Sequence, residues 1–164
     1  MTERSARFAL PFILPGQAQK EHFHNEALAA LDGLVHAAVE GIAAAPPADP
    51  ADGDSWLVGT GGSGAWTGRD DALACFDPAG WRFLTPVAGM AVWDKDAGFS
   101  RQWTGSGWSD GTIQVAAVEI EGERVVGPRQ PDIEVPAGGA TVDSEARTAL
   151  AAVIVTLKSH GLID

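Results

Sequence analysis

The sequence has one cysteine, Cys75, and no tyrosine. A lone cysteine excludes an intrachain disulfide framework. Its place in the apolar run Leu73-Ala74-Cys75-Phe76 points to a small buried strand residue rather than a thiol nucleophile. Positive charge is also scarce: 11 Lys and Arg stand against 22 Asp and Glu, a net charge of −11. The cations are scattered, whereas a nucleic-acid groove needs them clustered to neutralise phosphate. Nucleic acid is therefore not an expected partner. No apolar run approaches the roughly 18 residues of a membrane span, so no membrane insertion is expected. The polar residues 1–7 and the short, proline-broken stretch 8–14 do not make a cleavable signal. Phosphate-binding loop, dinucleotide fingerprint, nucleophile elbow and zinc pattern are all missing. The reading is a protein that is not an enzyme and uses no cofactor or metal.

What is present suits a folded chain. Hydrophobic residues make up 45% of the 164, too many for a disordered polypeptide. The pattern predicts an α+β fold: an N-terminal helix, a small antiparallel domain of Trp/Gly-rich hairpins, and a C-terminal coiled-coil-like helix. Residues 1–42 form an extended segment and an oligomerisation or attachment helix, which starts at Gln17 and runs to about Glu40. Gly33 costs that helix about 1 kcal/mol against Ala and implies close approach of another backbone, or a kink. Residues 43–54 form a linker stiffened by Pro46, Pro47 and Pro50. The β domain covers 55–127, with hairpins reversing at Asp77-Pro78-Ala79-Gly80, at residues 94–98 and at Glu121-Gly122-Glu123. Residues 128–140 form a second linker and 141–164 a trimerisation helix. There Asp143 is the N-cap, Gly161 the left-handed C-terminal residue, and Leu162 reaches back to Leu157.

Both helices carry an apolar stripe in steps of three and four. The first is Leu28, Leu31, Val35, Ala38 and Ile42; the second is Ala146, Leu150, Val153 and Leu157. Such seams suit association between chains, although each helix could instead pack on its own β domain. The six tryptophans are the next signal. Trp56, Trp81 and Trp93 read as core. Trp66, Trp103 and Trp108, beside Gly-rich loops, read as candidates for stacking on a glycan ring. Trp56 to Trp66 and Trp93 to Trp103 share one spacing, a weak internal echo. His22 and His24 are two residues apart, which puts their rings on different sides of a helix; three copies of His24 could meet only on a trimer axis. Asp70-Asp71 and the Asp94/Asp96 pair read as turn residues rather than as the two carboxylates of a glycosidase.

One resemblance spans nearly the whole chain. Leu10-Pro11-Phe12-Ile13-Leu14-Pro15-Gly16-Gln17-Ala18-Gln19-Lys20, His24-Asn25-Glu26-Ala27-Leu28 and Leu31-Asp32 open it. Pro46-Pro47, Asp52-Gly53-Asp54, Trp56-Leu57-Val58-Gly59, Gly64-Ala65-Trp66-Thr67-Gly68 and Gly80-Trp81-Arg82-Phe83 continue it, and Val126-Gly127-Pro128-Arg129-Gln130-Pro131, Thr141-Val142-Asp143, Ala146-Arg147, Leu150 and Gly161-Leu162-Ile163 end it. The chain resembles an uncharacterised phage-associated family found in tail-fibre and gene-transfer-agent genes of alphaproteobacteria and their prophages. The resemblance implies a virion tail component: a fibre, intertwined as a homotrimer, meeting a tail or baseplate protein; host-surface polysaccharide is the partner that the stacking tryptophans would add. It brings no catalytic site. The Ala-containing layers would serve a dimer as well. A glycan-binding receptor module, or less strongly a capsule depolymerase, stands as the alternative.

Overall fold

The computed structural model describes residues 3–14, 20–140 and 143–164. It is a mixed α+β chain with a helix near each end and three small sheets between. It divides into two compact units, residues 1–113 and 114–164.

The first unit starts with a short loop closed by an antiparallel bridge between Arg4 and Pro11. Helix α1 follows, Lys20–Leu34. The expected start at Gln17 lies outside the described residues. The expected end at Glu40 does not hold, because the chain leaves the helix after Leu34 and His36 takes a φ of +46°. Two short strands come next, β1 at Ala38–Val39 and β2 at Ile42–Ala43. Ala38 and Ile42 are therefore strand residues, not helix-stripe residues. The cause is tertiary: in extended form this segment buries Ala37 and Val39 and finds backbone partners that a helix would deny it.

The remaining strands are β3 (Ser55–Val58), β4 (Leu73–Asp77), β5 (Gly80–Leu84), β6 (Ala91–Asp94) and β7 (Phe99–Gln102). One sheet has the order β2-β3-β4-β5 and the other β1-β6-β7. β1 runs parallel to β6 and β2 parallel to β3, while the other pairings are antiparallel. The purely antiparallel expectation is corrected to this extent. Each of these sheets sets one short parallel strand beside antiparallel ones, three in the first and two in the second.

β4 is buried along Leu73, Ala74 and Cys75 because both of its faces are covered. On one face, Leu57, Leu73 and Cys75 meet Ala37, Val39 and Val92 from the other sheet's segments. On the opposite face, Val58, Ala72 and Ala74 pack with Trp66 under Trp56, Trp81 and Phe83. Burial on the first face pushes the Cys75 thiol pKa up, as the expectation of an inert strand cysteine requires.

The second unit contains a hairpin, β8 (Val118–Ile120) and β9 (Glu123–Val126), and helix α2, Ser144–Ser159. β8 and β9 thus fall outside the unit that holds the other strands. Asp143 caps α2 by accepting from the Ala146 amide at 2.8 Å. At the other end Gly161 has φ +68°, its amide donates to the Lys158 carbonyl, and the Leu162 amide donates to that of Leu157. This pair of bonds closes the helix in a Schellman turn. Beyond it, Gln130 and Ile163 form a parallel bridge, and Lys158 pairs with Asp132 at 2.7 Å, which lowers the Asp132 carboxyl pKa.

Candidate functional site

The densest polar construction joins the N-terminal loop to α1. Asp32, four per cent exposed, accepts from Ser5 Oγ at 2.6 Å, the Arg7 amide at 2.8 Å and the Phe8 amide at 2.7 Å. Seven residues earlier on α1, Asn25 holds Ile13 at both ends: its Oδ1 accepts from the Ile13 amide and its Nδ2 donates to the Ile13 carbonyl. The Arg7 guanidinium then closes the far end of the helix, donating to the carbonyls of Asp32, Gly33, Val35 and His36. A cation there satisfies orphan carbonyls and opposes the negative end of the helix dipole. Sequence reading singled out the Asn25 and Asp32 segments but did not find their role. The missing signal is long-range, since each partner lies 12 to 27 residues away.

Gly33 belongs to the same construction. A Cβ at that position would sit 2.8 Å from Cys75 Sγ and 3.2 Å from a Leu84 methyl carbon. The close approach is thus made by β-sheet side chains rather than by a second backbone.

Between this loop, α1 and the β4–β5 hairpin lies a cavity of about 120 Å³, with Arg4, Phe12, Glu26, Cys75, Asp77 and Arg82 among its walls. Its charges are largely committed to one another. Arg82 donates to Glu26 at 2.5 Å and to Asp77 at 3.2 Å. The Arg82 bond lowers the Glu26 carboxyl pKa, and the Glu26 bond raises that of Arg82. Arg82 Nε remains buried without a partner. A carboxylate held ionised in this way is a structural anchor and a poor proton donor near neutral pH.

Two of the carboxylates read as turn residues, Asp70 and Asp94, hold turn amides. Asp70 accepts from the amides of Gly61 and Gly62, which lower its pKa. Asp94, one per cent exposed, accepts from the Ala97 amide and from Arg101 Nε at 2.6 Å. Burial opposes ionisation of Asp94, but these bonds outweigh it and its pKa falls. Among the described residues no three His, Cys, Asp or Glu converge as metal ligands.

Two of the six tryptophans, Trp66 and Trp93, are not where the sequence put them. Trp66 is fully buried, with its ring 5.0 Å from that of Trp81 and nearly perpendicular to it, so it offers no stacking surface. It sits on a 3-10 turn, Gly64–Trp66, that folds back over the small residues Ala72 and Ala74. Trp93, expected in the core, is 48% exposed instead. It alternates along β6 with the inward Val92 and Asp94 and stands between Ala38 and Ser100 on the outer face. Trp103 and Trp108 pack edge-to-face at 5.5 Å and are half-buried. Trp108 packs against the first core and donates its indole N–H to the Asp71 carbonyl at 2.8 Å. Trp56 and Trp81 are half-buried against Trp66.

The stripes divide as well. Leu28 is half-buried, while Leu31 and Val35 are exposed, Val35 in the turn after α1. On α2, Ala146, Leu150 and Val153 are exposed and Leu157 is half-buried. The residue that α2 buries is Ile154, one position off the seam.

No curated protein matches the sequence. The family model described as protein of unknown function, DUF2793, matches residues 24–109, from within α1 to just past Trp108. The match leaves out both the N-terminal loop and the second unit. It covers more than half of the chain, and the chain belongs to the DUF2793 family.

Proposed function

We propose that this chain is a structural component of a phage tail or gene-transfer-agent particle, a fibre protein that assembles with copies of itself. Three copies would attach to a tail or baseplate protein, with α2 as the lock. The chain would be made in the bacterial cytoplasm and would act in the particle. The observation that supports this most is the outer face of α2. Leu150 and Val153 are each about half exposed, although Ile154 fastens the same helix to its own unit. A helix with one face packed at home and a second apolar seam left open is built to meet another surface. The resemblance of the N-terminal and Trp/Gly-rich segments to tail-fibre proteins supplies the setting.

The test is the solution mass of the Leu150→Asp, Val153→Asp double variant beside the parent chain. Assembly of the parent and its loss in the variant support the reading. A variant that assembles like the parent removes α2 from the interface.

Trp93 favours a second reading, in which the fibre also binds host-surface polysaccharide. Its indole is exposed on a sheet face beside Ala38, Ala91, Ser100 and Gln102, and such small or polar neighbours leave a ring free to stack on a sugar. Trp93→Ala should then abolish binding to host cells without changing the particle's mass. Undiminished binding would remove the indole from recognition.

A further inference from the structure

The indole of Trp93 stands among hydrogen-bonding groups rather than in an apolar patch. Val39 and Asp94 point inward and are fully buried, so their neighbours Ala38, Glu40, Trp93 and Lys95 share the outer side of the β1-β6-β7 sheet. β1 and β6 are parallel with Ala38 opposite Trp93, and the Lys95 amide donates to the Val39 carbonyl, which carries the register on to Glu40 and Lys95. There Lys95 Nζ pairs with Glu40 Oε1 at 2.5 Å. The pair is two residues along the strands from Trp93, or about 7 Å. Ser100 lies opposite Trp93 on β7, and Gln102 lies opposite Ala91 in the other direction along the strands.

Alanine, serine and charged residues are depleted at the centre of protein interfaces, so a lone indole among them is poorly suited to meet another protein. It suits a ligand with one apolar face and hydroxyls around its edge, which is the build of a pyranose. The charges then choose among pyranoses. Asp96 lies next to Gly41, its Cβ 3.3 Å from where a Cβ on that glycine would stand, so Glu40 and Asp96 set two carboxylates beside the ammonium of Lys95. An acidic sugar would have to take Lys95 from Glu40 and leave like charges side by side. A neutral sugar keeps the ion pair, its hydroxyls donating to the carboxylate and accepting from the ammonium in charge-assisted hydrogen bonds.

We propose that Trp93, Glu40 and Lys95 form a subsite for one neutral pyranose unit, the indole taking its apolar face and the ion pair its hydroxyls, and that this subsite rejects uronic and other acidic sugars. This rests on the polysaccharide reading of Trp93 above and adds the charge class of the ligand and the residues that set it.

The test is affinity electrophoresis of the full chain through gels that contain glucan, mannan or galactan, and through gels that contain their acidic counterparts polyglucuronate, polymannuronate and polygalacturonate. The expected result is retardation by at least one neutral polymer and by none of the acidic ones, a comparison that needs no variant. Glu40→Gln keeps the size of the side chain and removes its charge, and it should weaken the retardation about tenfold or more, with an unchanged thermal transition showing an intact fold. Retardation by the acidic polymers, or a Glu40→Gln chain retarded like the parent, overturns this inference; where Trp93→Ala still abolishes the retardation, the polysaccharide reading stands. Retardation by none of the six polymers overturns both.

Discussion

The Arg7 amide donates to Asp32 Oδ2 at 2.8 Å, and the Arg7 guanidinium donates to the Asp32 carbonyl at 2.7 Å. Each residue thus satisfies the other's backbone. Together with the Asn25 clamp on Ile13, this pair fixes the bridged loop to α1. Asp32→Ala would leave Ser5 Oγ and two amides without their acceptor, at a cost of about 3 kcal/mol. Urea denaturation followed by tryptophan fluorescence would measure this, and a change within experimental error would show that the loop is not part of the cooperative fold.

Gly33 and Cys75 form a second tight pair. Gly→Ala inside a helix ordinarily stabilises by up to about 1 kcal/mol. Here the added methyl group meets Sγ at 2.8 Å, and overpacking reverses the sign, with a loss of about 1–3 kcal/mol. Cys75→Ala in the same chain should recover much of that loss. A double-mutant cycle with no coupling would contradict the packing described here.

The two misplaced tryptophans separate cleanly in stability. Trp66→Ala empties the second core and should cost about 3–5 kcal/mol. Trp93→Ala removes a half-exposed ring from the outer face and should cost under about 1 kcal/mol. Equal losses in thermal denaturation would mean that the two environments are alike.

Acid should weaken the first unit through Glu26 and Asp94. The Arg82 bond lowers the Glu26 pKa; at Asp94, bonds from Ala97 and Arg101 prevail over burial. Both groups therefore bind protons less readily when folded than when unfolded. Their stabilisation is complete above the ordinary carboxylate range of about 4 and is lost as pH falls through the lowered folded values. Arg82→Gln should flatten this acid dependence by removing the share of Glu26. An unchanged pH profile would show that the Arg82 contacts do not set it.

Much of the local architecture was legible because its signals are local. The tight loops at residues 78–79 and 95–98, the Asp143 cap and the Gly161 terminus each depend on a few adjacent residues. The end of α1 was not legible. Residues 35–45 are rich in Ala, Val and Ile, which fit either period, and the choice was made by strand partners at Leu57 and Trp93. Trp93 misled for a related reason. Asp94 looks outward-facing by polarity, yet it points inward to Arg101, so its neighbour Trp93 must face out. The loop clamp could not be read at all, because Asn25 and Asp32 are ordinary helix residues until their partners are known.

The most direct test of the central claim, that the chain assembles with copies of itself through α2, is the light-scattering mass of the full chain over a range of concentrations. The expected result is a particle of three chains of 17.0 kDa that dissociates on dilution. A particle of 17.0 kDa at every concentration would contradict it.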